Sequence, residues 1–130
     1  MIAVDSSVLV RYLVQDDEAQ GQIAAEFLEG QLSDEKRGFI SCIVFTELIW
    51  VLRRTYRLSS ADVGAALAGL LTSRQLHFEH RGLLEAAIID GPDQLADRVI
   101  HEVGRRAGCQ ETVTFDRRFA RRASVRLLGS

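Results

Sequence analysis

Short apolar runs alternate along the whole chain with longer segments in which apolar residues recur at helical spacing. Ile2-Ala3-Val4 is typical of a buried strand, and Val44, Leu48 and Leu52 recur as they would on one side of an amphipathic helix. Strands that alternate with helices indicate an α/β fold around a central, mostly parallel sheet. The pattern predicts strands over 2–4, 38–41, 76–79, 111–114 and 125–128. It predicts helices over about 8–14, 17–32, 43–56, 82–89, 93–107 and 116–123. One more helix is predicted to begin at Ser59 or Ser60 and to carry Val63, Leu67, Leu70 and Leu71.

Polar residues at the predicted helix starts suggest how these helices are capped. Ser6 or Ser7 would cap the first helix, and Asp93 would cap the helix that runs to about Ala107. The apolar side of the helix over 17–32 is predicted to consist of Ile23, Phe27 and Leu28.

The length of 130 residues is usual for one domain, so we expect a single domain over residues 1–130. No basic segment precedes the first apolar run, and no stretch approaches the roughly 20 apolar residues of a membrane span. We therefore expect a cytoplasmic protein. Cys42 and Cys109 form no C-x-x-C motif or Cys/His cluster in the sequence, and Cys42 is expected to be a buried small apolar residue.

The net charge of −2 conceals an uneven distribution of charge. Residues 1–35 carry eight acids against the single base Arg11, whereas residues 98–126 carry eight arginines against three acids. The C-terminal part is therefore a candidate surface for a polyanion, because the guanidinium fork suits phosphate. The alternative is that these arginines lie on solvated helix faces.

Four carboxylates stand where catalytic chemistry is expected. Asp5 follows the first strand and Asp116 follows the strand over 111–114, and ligands of α/β sheets bind at the carboxyl ends of strands. Either acid could instead be a helix cap. Glu47 is predicted on or beside a buried helical stripe, where an unpaired charge is costly, although it could face water or Arg54. Asp97 lies in the first turns of its helix, where a surface acid that complements the helix dipole is the alternative.

Asp5, Glu47, Asp97 and Asp116 together favour a hard cation, Mg²⁺ or Mn²⁺, because no Cys/His cluster accompanies them. His101, four residues after Asp97, is expected to be a surface histidine or to support the site. Such a cation activates water and neutralises phosphate charge, which suits phosphodiester hydrolysis. The chain has no G-x-G-x-x-G or G-x-S-x-G motif.

The chain resembles the PIN domain, and within that family the VapC-type toxins of bacterial toxin–antitoxin pairs. The resemblance is carried by four stretches in order, which cover nearly the whole length: residues 2–13, residues 44–52, Ala96-Asp97 with its helix, and Thr112-Val113-Thr114-Phe115-Asp116.

The resemblance implies a PIN-like three-layer sandwich, with helices around a short, mostly parallel central sheet, and hydrolysis of RNA with Mg²⁺ or Mn²⁺. By resemblance, Asp5 and Asp97 are direct metal ligands, and Glu47 is a ligand or positions the attacking water. Asp116 is the fourth, outer acid, and Thr114 is similar to a hydroxyl residue that supports the site.

Three positions depart from the family pattern. Ser7 stands where the family often has an asparagine that helps to hold the first acid, so a shorter hydroxyl replaces an amide. Gln94 stands where the family often has an aspartate, so that acid is lost or displaced to Asp93. Arg98 stands where the family prefers a small residue.

The resemblance also implies partners, namely a VapB-like antitoxin, whose extended segment would enter the acidic site, and a second copy of the chain. The apolar helices from Ile43 to Leu71 could supply the homodimer interface. Two other functions remain open. One is a catalytically weak PIN-like module that binds RNA or a partner, and the other is a metal phosphatase acting on small phosphate esters.

Overall fold

A computed structural model describes residues 1–129, which divide into two compact units, Met1–Asp93 and the residues from Gln94 onward. The first unit alternates strands with helices, as the sequence pattern predicts. Its elements are β1 (Ile2–Ala3), α1 (Ser6–Val14), α2 (Glu18–Glu26) with a π-helical turn (Phe27–Gln31), β2 (Gly38–Ile40), α3 (Cys42–Arg54), α4 (Ser60–Leu71), β3 (Leu76–Phe78) and α5 (Arg81–Asp90).

The strands of the first unit form a parallel sheet in the order β1-β2-β3. Gly38 begins the middle strand, and a Cβ atom there would lie 2.8 Å from Leu32 and 3.0 Å from Val4. Any larger residue would therefore push these side chains apart, and glycine allows the close packing. Because all three strands run the same way, the segments that follow them emerge at one edge of the sheet.

Helices α3 and α4 supply much of the core of the first unit. Phe45, Leu48 and Leu52 of α3 and Val63 and Leu67 of α4 are almost fully buried. Ser41 caps α3 by accepting from the Val44 amide, and Ser59 caps α4 in the same way. The predicted capping of α4 by one of two serines is thus settled in favour of Ser59.

The second unit contains a helix and a pair of parallel strands. Helix α6 (Leu95–Arg106) ends one residue before Ala107, and Gly108 with φ of 95° turns the chain after it, as predicted. The elements are α6 (Leu95–Arg106), β4 (Thr112–Thr114), a 3-10 turn (Phe119–Arg121) and β5 (Val125–Leu127).

The predicted α/β class and the parallel pairing are confirmed, and every predicted strand is present. In residues 1–129 the strands form two sheets, one of three strands and one of two. No helix in this range is both long and apolar enough to cross a membrane.

Two predictions about the first helices were wrong. Asp5, rather than a serine, caps α1, because its carboxylate precedes the first helical residue and accepts from the Ser7 amide. The predicted apolar side of the second helix was wrong for Ile23, which is 65% exposed, whereas Leu28 is buried as predicted, together with Gly21 and Ala24.

Candidate active site

Asp5 lies at the carboxyl end of the sheet, between β1 and α1. Its Oδ2 accepts from the Ser7 amide at 3.2 Å and from the Ser7 hydroxyl at 2.6 Å. These bonds favour the ionised form and lower the pKa of Asp5, the hydroxyl bond contributing most. The serine that replaces the family's usual asparagine therefore does hold the first acid, and it keeps Asp5 charged.

Glu47 lies on the exposed side of α3, which is the alternative that faces water, whereas Leu48 and Leu52 of the predicted stripe are buried. The residues that α3 buries are Cys42, Phe45, Leu48, Ile49 and Leu52, whereas Ile43 and Trp50 share the exposed side with Glu47. The Glu47 carboxylate is nevertheless fixed, because the hydroxyl of buried Ser6 donates to its Oε2 at 2.9 Å. Since Ser6 follows Asp5 directly, Glu47 lies beside the turn that carries Asp5.

Asp97 and Asp116 come together in the second unit. Asp97 is half-buried in the first turn of α6, and its pKa is raised, first by burial and then by the negative charge of Asp116. The positive charges of Arg122 and Arg118 lower the pKa of Asp97 and so offset part of this rise. This is a pair of carboxylates that repel each other in a partly desolvated place, with two guanidinium groups nearby.

Asp116 also has the structural role that a helix-start acid suggests. Its Oδ1 accepts from the amides of Arg118 at 2.8 Å and Phe119 at 3.1 Å, which caps the 3-10 turn. Its own amide donates to Oγ1 of Thr114 at 3.0 Å, so Thr114 fixes the backbone on which Asp116 stands. Both bonds to the side chain fall on one oxygen, and the other oxygen remains a possible ligand.

Asp93, the candidate replacement for the aspartate that the family often has at the position of Gln94, is engaged elsewhere. Asp93 forms a two-pronged ion pair with Arg53, with both N···O distances 2.9 Å. It does not cap α6, since Gln94 occupies the position before that helix and makes no capping bond. The Gln94 side chain instead accepts from Arg122 at 2.8 Å, and so positions an arginine that acts on Asp97.

His101 is engaged within the second unit. Its Nδ1 lies 2.8 Å from Oγ1 of Thr112, a hydrogen bond between α6 and β4. This contact agrees with the predicted supporting or surface role.

The C-terminal arginines fall into two groups. Arg105 and Arg106 pair with Glu102, and Arg126 pairs with Glu111. Within residues 1–129, Arg117, Arg118 and Arg121 are exposed and form no ion pair within 4 Å. These three arginines, which we call the arginine turn, flank the segment that begins with Asp116 and keep their charge for a partner.

One group of metal-ligating residues was missed by the sequence analysis. Cys42, Glu79 and His80 lie with their ligand atoms within 4.8 Å of one another, the only such set of three or more found among residues 1–129. Cys42 is buried, as expected, but its neighbours Glu79 and His80 were not anticipated. The signal in the sequence was that Cys42 and Glu79-His80 each follow a strand, and the order β2-β3 makes those strand ends neighbours.

The four predicted acids suit Mg²⁺ or Mn²⁺ by their chemistry, since each offers carboxylate oxygen. The side-chain hydrogen bonds of Asp5, Glu47 and Asp116 each fall on a single oxygen of the carboxylate, which orients it and leaves the second oxygen for a ligand role. The mutual repulsion of Asp97 and Asp116 is relieved by a bound cation.

A comparison with protein families matches residues 2–125 to the model of the PIN domain. Searches of curated proteins and of solved structures gave no match.

Proposed function

Because the chain belongs to the PIN domain family, whose members are generally metal-dependent nucleases, we propose that it is an Mg²⁺- or Mn²⁺-dependent endoribonuclease and the toxin of a toxin–antitoxin pair. The observation that carries the proposal is the pairing of Asp97 with Asp116 beside Arg118 and Arg122. The half-buried carboxylate of Asp97 lies close enough to exposed Asp116 to be repelled by it, an arrangement that a bound cation would favour.

Each acid is proposed to have its own role. Asp5 and Asp97 bind the metal directly, Glu47 binds it or orients the attacking water, and Asp116 is the outer acid. Ser7 keeps Asp5 ionised, and Ser6 sets the direction of the Glu47 carboxylate. The bound cation supplies an activated water and neutralises charge on the scissile phosphate.

The arginine turn is proposed to bind the RNA backbone. Its three guanidinium groups are exposed and form no ion pair within 4 Å among residues 1–129, although Arg118 also acts on Asp97, so they can neutralise phosphates. Arg122 is held by Gln94 and acts on Asp97. This suits a role near the reacting phosphate rather than in attracting the rest of the RNA backbone. A polymeric substrate explains this concentration of arginine better than a small phosphate ester does.

The test is to incubate the purified protein with an RNA pool and either Mg²⁺, Mn²⁺ or a chelator. We expect internal cleavage of RNA with the metals and none with the chelator. RNA binding without metal-dependent turnover would instead support the binding module, and hydrolysis of a generic phosphate monoester would support the phosphatase. Each of these outcomes contradicts the proposed ribonuclease.

An antitoxin segment is proposed to bind beside Asp5. A groove of about 660 Å³ runs between α1 and α2, and its lining combines Asp5 with the apolar side chains of Ile23 and Phe27. This combination suits an extended peptide with apolar residues and a basic residue that neutralises the acid. Co-expression with the product of the neighbouring gene should give a stable complex, and Ile23→Glu should weaken it. Equal retention of both forms would contradict this assignment.

We further propose that residues 1–130 act as one PIN-like nuclease domain, that the chain forms a homodimer and that it acts in the cytoplasm. Ile43 and Trp50 of α3 support a dimer surface in the 43–71 segment, because they are 66% and 59% exposed. The mass in solution tests this point. A dimer that Trp50→Glu converts to a monomer is expected, and a monomeric native protein would contradict it.

A further inference from the structure

The ends of β2 and β3 bring three side chains of different chemistry together in the first unit. Ile40 pairs with Phe78 at the last position of both strands, and the Glu79 amide then donates to the Ile40 carbonyl at 2.9 Å. Cys42 is the first residue of α3, and Glu79-His80 immediately precede α5. Parallel pairing therefore fixes Cys42 against Glu79 and His80, although 37 residues separate Cys42 from Glu79.

Glu79 is held at the start of α3. Its Oε1 accepts from the Cys42 amide at 2.8 Å, which satisfies one of the donors exposed at a helix N-terminus. Ser41 already caps this helix through the Val44 amide, so the carboxylate is a second acceptor at the same end. The Cys42 thiol also forms a hydrogen bond with this carboxylate, so both polar groups of Cys42 lie against Glu79.

His80 completes the group from an unusual backbone position. It adopts the left-handed conformation, with φ of 53° and ψ of 45°, and it precedes α5 without a side-chain capping bond. Within residues 1–129 no hydrogen bond of its ring is recorded, whereas His101 has one. Capping and packing explain Glu79 and Cys42 in part, and the imidazole interacts electrostatically with the Glu79 carboxylate.

We propose that Cys42, Glu79 and His80 form a second metal site, which takes Zn²⁺ with a water molecule as the fourth ligand. Their ligand atoms already lie within 4.8 Å of one another, and Cys42 is only 7% exposed. A thiolate, an imidazole and a carboxylate are the ligand types of zinc, whereas the four acids of the proposed nuclease suit a harder cation. The site shares no residue with those acids, so its existence does not depend on nuclease activity.

The Cys42 thiol must lose its proton before the sulfur can bind a metal. Burial raises the pKa of the Cys42 thiol to about 11, and the hydrogen bond to Glu79 adds to this effect. The thiol is therefore protonated at neutral pH and is a poor nucleophile. On binding, the S–H bond breaks, its proton leaves to solvent, and the sulfur forms a bond to Zn²⁺, with no change of oxidation state.

The probe is Co²⁺, which replaces Zn²⁺ and gives a near-ultraviolet charge-transfer band only when a thiolate binds it. The metal-free full chain should bind one Co²⁺ with this band, and added Zn²⁺ should abolish it. Cys42→Ser should lose the band, whereas Cys109→Ser, which alters the exposed cysteine, should keep it. Asp97→Asn should also keep it, because Asp97 belongs to the other set of acids.

A second variant covers the case in which Cys42→Ser folds poorly. His80→Asn is compatible with the left-handed backbone, and it should weaken Zn²⁺ binding at least about tenfold, as measured by competition with a chelating dye. No thiolate band in the native chain, a band that survives Cys42→Ser, or unchanged Zn²⁺ affinity in His80→Asn would each overturn the proposal.

Discussion

The hydroxyl of Ser6 donates a hydrogen bond of 2.9 Å to Oε2 of Glu47, across 41 positions of the chain. Ser6 is buried at the start of α1, whereas Glu47 lies on the exposed side of α3. The bond therefore anchors a mobile type of side chain to a rigid point, directly after Asp5. A carboxylate that served only as surface charge would gain little from such an anchor.

Ser6→Ala should lower nuclease activity about tenfold, because Glu47 loses the partner that orients its carboxylate. The loss of the bond should also lower the free energy of unfolding by about 1 kcal/mol. Thr46→Ala is the matched control, since that neighbouring hydroxyl bonds to the Cys42 carbonyl of its own helix. Steady-state cleavage rates and urea unfolding measure both effects, and equal rates for the two variants would contradict the role given to Ser6.

Ser7→Ala should weaken Mg²⁺ affinity by about 10- to 100-fold, because Asp5 loses the 2.6 Å bond that holds it ionised. Ser7→Asn should recover most of the loss, since an amide can donate to the same oxygen. Ser59→Ala removes a helix cap of α4 and controls for general destabilisation. Metal titration of cleavage gives the affinities, and a Ser7→Ala protein with native affinity would show that the hydroxyl is dispensable.

Asp97→Asn should stabilise the metal-free protein at neutral pH, although it removes a ligand. The folded protein raises the pKa of Asp97, first through burial and then through Asp116, so it binds the proton more tightly than the unfolded chain. Stability is therefore lost as the pH rises above 3.8 and through the raised pKa, and the asparagine avoids this loss.

Asp5 provides a comparison in which the pKa is shifted in the opposite direction from that of Asp97. Its pKa is lowered by the Ser7 bonds, so its stabilising contribution is present above 3.8 and is lost as the pH falls through the lowered value. Asp5→Asn should thus be less stable than the native protein at neutral pH. Urea unfolding across the acid range in the presence of chelator measures both variants. Stability changes of the same sign in the two variants would refute the electrostatic account.

Arg117→Gln and Arg121→Gln should each weaken RNA binding. Each should also reduce the slope of log K against the logarithm of the salt concentration by about one in magnitude. The reason is that these exposed arginines carry no ion pair in the described part of the chain. Arg105→Gln should have a smaller effect, because Glu102 already pairs with this guanidinium at 2.7 Å. Binding measured over a range of salt concentrations tests this, and indistinguishable slopes for the three variants would argue against the arginine turn as the RNA surface.

The α/β class was predictable because apolar runs and helical periodicity are local signals. The buried Leu48 and Leu52 of α3 were predictable in the same way, but the exposure of Glu47 was not, since this helix carries large apolar residues on both sides. Ile43 and Trp50 are exposed although their chemistry suggests the core, and Glu47 lies between them. The anticipated cost of burying Glu47 was therefore the wrong reason to select it, although its hydrogen bond to Ser6 gives it a defined position.

The other differences arise from a choice between equivalent local signals or from contacts between residues that are distant in the sequence. Asp5, Ser6 and Ser7 are all good capping residues, so composition could not rank them as the cap of α1. The ion pair that engages Asp93 reaches Arg53, 40 positions away. Cys42 meets His80 only because β2 and β3 are neighbours.

The most direct test of the central claim compares RNA cleavage by the native chain and by Asp97→Asn under single-turnover conditions with saturating Mn²⁺. The account predicts that the native chain cleaves RNA only with metal and that the variant is slower by about 100-fold or more, while it remains folded. Native cleavage rates in the variant, or cleavage by the native chain that survives a chelator, would contradict the claim that these carboxylates bind a catalytic metal.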